Sequence, residues 1–523
     1  MEAVDRRRLI MSAGAMALAP RGVHAAPASP VARTRHGPVR GYVDGEIKVF
    51  KGLRYGADTA PRRFQPPVAP TAWREMRDAT SYGGTSPQAD KEDNQSEDCL
   101  FLNVWTPALR DGRRRPVMVY LHGGAYAGGS GSAPLYDGAR LCRRGDVVVV
   151  TINHRLNVFG YGFLKRLGGA TFADSGNAGM LDIVLALRWV RDNIAEFGGD
   201  PGNVMLFGQS GGGAKIATLM AMPSAKGLFH RAATMSGQQV TASGPLNATA
   251  RMELFLRTIG LTPDRAAEAA TLPMGKLIEG LAAADPFTPG RLYFGPVLDQ
   301  RSLLRHPFYP DAHPQGLGIP MILGNTHDET YAFLARTKPD PFTMTWDEVP
   351  ARVAREMRVD IDPEHVVATY RRLYPGYTPS EVFFAATTAG RSWRGQVIEA
   401  EERAKGGAPA FVYQLDFRTT IEGGRLRAMH TTDIALAFDN LAQPGSPIAP
   451  SPTAQAVADR MSESFIAFAR SGDPNNPTIP RWAPYELDRR ATMVFNVDTR
   501  LVDDPRGDER RLFAAVPYIQ PGT

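Results

Sequence analysis

The stretch Phe197-Gly-Gly-Asp-Pro-Gly-Asn-Val-Met-Leu-Phe-Gly-Gln-Ser210-Gly-Gly-Gly213 limits the chain to a small set of folds. Val204 to Phe207 is a short apolar run of the kind that forms a buried strand. Gly208-Gln209-Ser210-Gly211-Gly212 follows at once, and Ala214 to Met222 predicts a helix. A chain that passes from buried strand to helix through this G-x-S-x-G sequence must turn sharply. A Cβ on either side of the turn would collide with the strand or the helix, hence the glycines. Such a turn holds its serine on strained backbone, lifts the hydroxyl clear of the sheet and aims the first helical N–H groups at whatever the serine meets.

The rest of the chain supplies a sheet to hold that turn. Pro116 to Leu121 and Asp146 to Ile152 are near-continuous apolar runs, the pattern of strands buried on both faces. Leu100, Leu102 and Val104 alternate as in a half-buried strand. Met180 to Phe197 has helical apolar spacing and completes a β–α–β unit with the strand before Ser210. Further strands are expected at Ala232 to Met235, Ile319 to Leu323 and Ala410 to Asp416. Alternation of this kind predicts an α/β fold with an open, mostly parallel sheet between helices. Residues 241–315 and 330–400 read as helical, loop-rich insertions capping it. The expected organisation is a leader over 1–28 and one elaborated domain over 29–523.

The leader is an export signal in form: Arg6-Arg7-Arg8, a mild apolar segment from Leu9 to Pro20, then Val23-His24-Ala25-Ala26. Its Asp5-Arg6-Arg7-Arg8-Leu9-Ile10 resembles a twin-arginine signal; a general secretory leader is the other reading. Either predicts a periplasmic or secreted protein. With 43% hydrophobic and 22% charged residues and a net charge of +6, the composition is that of a globular protein. No apolar run reaches the roughly 18–20 residues of a membrane span, so no stable membrane insertion is expected. No Lys/Arg block is interleaved with aromatics, so nucleic acid is not an expected partner. Two cysteines, Cys99 and Cys142, make no disulfide framework, and nothing in the sequence sets an oligomeric state.

A serine in such a turn needs a base, and the base an orienting carboxylate. On sheets of this type they follow in the order serine, acid, histidine. His306 and His313 lie among prolines, and His365 falls on an amphipathic helix. His430 follows the Ala410–Asp416 strand, where a base at the carboxyl edge of the sheet belongs. The strand ending at Leu323 leads into Gly324-Asn-Thr-His-Asp328-Glu329, and chemistry alone leaves Asp328 and Glu329 as alternative acids. His122-Gly123-Gly124-Ala125-Tyr126 follows the strand Pro116–Leu121. It is placed to offer backbone N–H donors to an oxyanion, with the N–H of Gly211 as a further donor.

Two motifs together resemble the type-B carboxylesterase family, the cholinesterase-like branch of the α/β-hydrolases. They are the stretch from Phe197 to Gly212, and Glu97-Asp-Cys-Leu-Phe-Leu-Asn-Val-Trp-Thr-Pro107. Weaker echoes are Phe50-Lys-Gly-Leu-Arg-Tyr55, Asn177-Ala-Gly-Met-Leu-Asp182 and Ala467-Phe-Ala-Arg-Ser-Gly-Asp-Pro474, so the resemblance runs from about Val39 to the C-terminus. It implies Ser210 as nucleophile, His430 as base, Glu329 as acid, and the N–H groups of Gly124, Ala125 and Gly211 as oxyanion donors. It implies that Ser236 supports the base through hydrogen bonds and that Asp433 fixes the histidine loop. The implied reaction is hydrolysis of a small-molecule carboxylic ester through an acyl-enzyme, with no metal or organic cofactor.

The departures from the family pattern carry information too. Ser86 stands where animal members place the partner of the Cys99 position, which implies that Cys99 is free. The loop between Pro87 and Ser96 lacks the tryptophan that holds quaternary ammonium by cation–π attraction, so choline esters are not the expected substrates. Gln209 replaces a common Glu beside the nucleophile and removes a negative charge there. Thr330 replaces the usual Gly after the acid. Tyr126, Phe159, Phe294 and Tyr331 are the aromatic candidates for pocket walls. Two alternatives remain: a lipase acting on longer-chain esters, and a non-catalytic cholinesterase-like binding protein. Members of the second kind commonly lose the serine or the histidine, and this chain keeps both.

Overall fold

The computed structural model describes residues 29–522 apart from Pro289, so the leader over 1–28 lies outside the described residues. Eleven strands form one sheet. In chain order they are β1 (Tyr42–Asp44), β2 (Ile47–Arg54), β3 (Phe101–Thr106), β4 (Arg115–Leu121), β5 (Val148–Ile152) and β6 (Gly199–Gln209). They continue with β7 (Arg231–Met235), β8 (Met321–Thr326), β9 (Ala410–Leu415), β10 (Ala491–Phe495) and β11 (Arg500–Asp503). Across the sheet the order is β11-β10-β9-β8-β7-β6-β4-β5-β3-β2-β1. From β10 through β5 every pairing is parallel, and the antiparallel pairings lie toward the two edges. A separate three-stranded sheet of Val31–Arg33, Pro38–Arg40 and Arg77–Asp78 stands beside it.

The apolar runs are continuous because both faces of the sheet are covered. Along β4, Val117, Val119 and Leu121 pack into one core while Met118 and Tyr120 point into the other. The helix Ala178–Asn193 covers the first face with Met180, Ile183, Val184 and Leu187. The helix Pro452–Ser471 covers the second with Val457, Met461 and Phe465. The two cysteines are free and buried on opposite faces, Cys99 in the first core and Cys142 in the second. Burial pushes both thiols well above the ordinary range, so they act as small apolar groups.

The inner strands fall where the apolar runs put them, with shifted ends. β6 begins at Gly199, five residues ahead of the apolar run. β5 starts only at Val148, because Asp146 ends the helix Ala139–Gly145 in a left-handed conformation, φ 42°. The two strands at the far edge, β10 and β11, have no counterpart in the sequence reading. The 330–400 segment is helical and builds a core of its own from Val349, Val353, Val366, Tyr370 and Phe384. It is tied to the sheet through Thr330, whose N–H and hydroxyl bond Thr388 Oγ1 at 3.2 and 2.9 Å. The same hydroxyl donates to Phe384 O at 3.0 Å. The residue that replaces a family glycine is thus a clamp between the acid turn and a cap helix.

Candidate active site

Ser210 lies between β6 and the helix Gly211–Leu219 with φ 56° and ψ −125°. A non-glycine residue there costs on the order of 1–3 kcal/mol and persists only when its surroundings fix it. They do: Ser210 N–H donates to Met235 O at 2.7 Å, which links the turn to β7. A Cβ on Gly211 would lie 2.1 Å from Ala125 O, and one on Gly212 would lie 1.9 Å from Leu121 O. The turn therefore packs backbone on backbone against the end of β4 and the loop after it, which brings Ser210 beside the His122–Tyr126 loop.

The turn after β8 carries Glu329, the expected acid, and the loop after β9 carries His430. His430 Nδ1 and Glu329 Oε2 form a short, buried hydrogen bond. The other oxygen, Glu329 Oε1, accepts from Ser236 Oγ at 2.5 Å, Thr326 N at 2.8 Å and Asn325 Nδ2 at 3.1 Å. Burial alone would raise this carboxyl; His430, Ser236 and Thr326 outweigh it and hold Glu329 below the ordinary glutamate range. Asp328 turns elsewhere, to His327 Nδ1 at 3.1 Å and Ala428 N at 3.3 Å. The geometry thus separates two carboxylates that chemistry alone could not. Ser236 supports the histidine through Glu329 rather than by touching it. Asp433 is fully buried and accepts from Tyr413 Oη at 2.8 Å, which fastens the histidine loop to β9. Burial, and then the nearby Glu329, push Asp433 up to about 7.

With Nδ1–H given to Glu329, Nε2 is the ring nitrogen of His430 left for other partners. The Gln209 side-chain nitrogen sits 3.1 Å from it. Among the described residues, no hydrogen bond joins Ser210 Oγ to His430, although both line one cavity.

The loop after β4 carries the expected oxyanion donors and borders the same cavity. Gly124 has φ 82° and Ala125 φ 52°, and no described residue accepts from either N–H. Gly211 heads its helix, where the first N–H groups have no partner within the helix. The loop is held from behind by Lys215, whose Nζ donates to His122 O at 3.1 Å and Ala125 O at 2.8 Å. Burial pulls this lysine down to about 7. His122 stacks on His154 with ring centroids 4.9 Å apart, and burial followed by Lys215 pulls His122 down to about 3, so its ring is neutral.

The model of the carboxylesterase family matches residues 28–511. The chain belongs to the carboxylesterase family. It is 32% identical to the para-nitrobenzyl esterase of Bacillus subtilis (strain 168), over 92% of this chain and 98% of that one. It is 31% identical to the phenmedipham hydrolase of Pseudarthrobacter oxydans, over 89% and 94% respectively. Among solved structures, a carboxylesterase of Geobacillus stearothermophilus is 37% identical, with a TM-score of 0.84 over 92% of this chain and 99% of that one. The fold is accordingly that of the α/β-hydrolases, and the chain is a carboxylic ester hydrolase.

In this carboxylesterase Ser210, His430, Gly124, Ala125, Gly211, Gln209 and Ser236 all border one cavity of about 520 Å³. Of the four aromatic candidates only Tyr126 lines it. Phe159 and Phe294 are core residues, and Tyr331 stacks on Phe384 inside the cap, centroids 3.8 Å apart. The walls are instead Tyr293, Phe333, Arg358, Arg391 and Gln238, none of which follows from local sequence. Phe333 lies against His430 with centroids 4.7 Å apart. Lys215 did leave a signal, as the single charge in the apolar helix after the turn. Asn325 and Thr326 were legible only as a strand end.

Proposed function

We propose that this carboxylesterase works by two-step acyl transfer through Ser210, His430 and Glu329. The observation that carries the reading is the Glu329–His430 Nδ1 bond, which leaves Nε2 as the lone pair in the cavity that Ser210 enters. Substrate entry moves the Gln209 amide off Nε2, and the imidazole then takes the Ser210 proton as the hydroxyl attacks the ester carbonyl. Catalytic hydrogen bonds of this kind commonly tighten only with substrate in place. The N–H groups of Gly124, Ala125 and Gly211 receive the oxyanion. His430 next protonates the leaving alcohol, and water repeats the path to release the acid. Glu329 stays ionised throughout, fixing the tautomer.

The test is hydrolysis of p-nitrophenyl esters from acetate to palmitate by the mature protein and by Ser210→Ala. Turnover of short chains should fall by at least about 10³ in the variant. A variant matching wild type rules out Ser210 as nucleophile, and a preference for palmitate makes the protein a lipase. Silence from both proteins, with no fluorophosphonate label on Ser210, indicates the non-catalytic binding protein. The leader over 1–28 supports export, and the same assay on cell fractions should find the activity outside the cytoplasm. Activity confined to the cytosol sinks that part.

A further inference from the structure

The cap sends two arginines into the wall of the Ser210 cavity, Arg358 and Arg391. Among the described residues they are the only side chains of fixed charge that line it, and no carboxylate does. Arg391 comes from Ala389–Trp393, a turn of π-helix, a local widening found often at functional sites. Its Nη1 bonds Glu356 Oε2 at 2.6 Å, which orients the guanidinium without closing it off. Arg358 follows the helix Val349–Glu356, and its backbone is pinned on both sides. Its N–H donates to Gly390 O at 3.1 Å, and its C=O accepts from Ile519 N–H at 2.8 Å. Its side chain makes no hydrogen bond or ion pair among the described residues.

Two cations therefore share one cavity wall, and among the described residues only Arg391 has a carboxylate partner. Burial, and then Arg358, pull Arg391 down to about 10; like charges held close are unfavourable until an anion joins them. Arg391 also lies within reach of His430. Phe333 touches the His430 ring at 4.7 Å and Arg391 at 5.3 Å, so the guanidinium lies within about 10 Å of the imidazole. A short aliphatic chain spans that gap.

We propose that this wall binds a carboxylate carried by the substrate, so that the preferred esters are anionic: half-esters of dicarboxylic acids or esters of carboxylate-bearing alcohols. The proposal rests on Ser210 being the nucleophile of this cavity. A guanidinium grips a carboxylate through paired N–H···O bonds, and the uncharged ester of the same length leaves the arginines unsatisfied.

The experiment compares matched pairs: monoethyl adipate against ethyl hexanoate for a carboxylate on the acyl side, and 6-acetoxyhexanoate against hexyl acetate for the alcohol side. The readout is the ratio of kcat/KM within each pair, which cancels any loss of folded protein. Wild type should favour the anionic ester by at least about tenfold in one pair, and that pair identifies the side. Arg358→Gln should bring the ratio toward one, and Arg358→Lys should keep part of it. Ratios at or below one in both pairs overturn the proposal, as does a preference that survives in both Arg358→Gln and Arg391→Gln. If Ser210→Ala still hydrolyses these esters, the nucleophile assignment fails instead. Ser210-dependent hydrolysis of neutral esters without anion preference removes the anion site alone.

Discussion

Gln209 shows how one side chain can set the resting state of the base. Its amide nitrogen lies 3.1 Å from His430 Nε2, the atom that receives the serine proton in the proposed mechanism. A carboxylate at the same place would accept from Nε2 and favour the imidazolium. Gln209→Glu should therefore move the acid limb of the kcat/KM profile to higher pH. Superimposable profiles would show that Gln209 does not govern the charge of His430. At this scale the sequence was informative where chemistry demands a particular residue type. Ser210 and His430 stood out by order and context, while Glu329 could be told from Asp328 only through the family resemblance. The two differ by which way the turn after β8 points them, and no local pattern encodes that.

At the scale of elements, the turn at Ser210 and the loop after β4 form one unit joined by backbone contacts and braced by Lys215. A methionine there fills the space but cannot hold His122 O and Ala125 O. The Gly124 and Ala125 N–H groups would then lose their aim, and small displacements of catalytic groups cost up to about 10² in rate. Lys215→Met should lower kcat by roughly 10- to 100-fold with KM little changed, measured on p-nitrophenyl acetate. A fall confined to KM would place Lys215 in ground-state binding instead. The inner strands were readable because each is covered on both faces and so reads as an unbroken apolar run. β11, an exposed edge strand reading Arg-Leu-Val-Asp, carries no such run. β10 is buried, but its Ala-Thr-Met-Val-Phe is short and lies between charged turns.

For the whole molecule, stability depends on joints between distant segments. Asp182 of the Asn177–Asp182 motif is fully buried. It accepts from Arg155 Nε at 2.9 Å, Nη2 at 2.7 Å and its backbone N at 3.0 Å. Asp182→Ala leaves the Arg155 guanidinium buried without its counter-charge, a loss of about 3–5 kcal/mol, read as a lowered denaturant midpoint. An unchanged midpoint would mean that water or another acceptor replaces the carboxylate. The cavity walls were hidden for the same long-range reason: Tyr293, Phe333, Arg358 and Arg391 meet only after both insertions have folded onto the sheet.

That division of labour bears on how the protein can change. The atoms proposed to react stand on strand ends and a turn where a single Cβ meets backbone at about 2 Å. Tyr293, Phe333, Arg358 and Arg391 come from cap segments, one of which has a hydrophobic core of its own. Variation is thus nearly forbidden where bonds are made and broken and cheap where the substrate is chosen. A lineage or a mutant library can re-aim such an enzyme at new esters by rewriting its cap, leaving turnover chemistry in place.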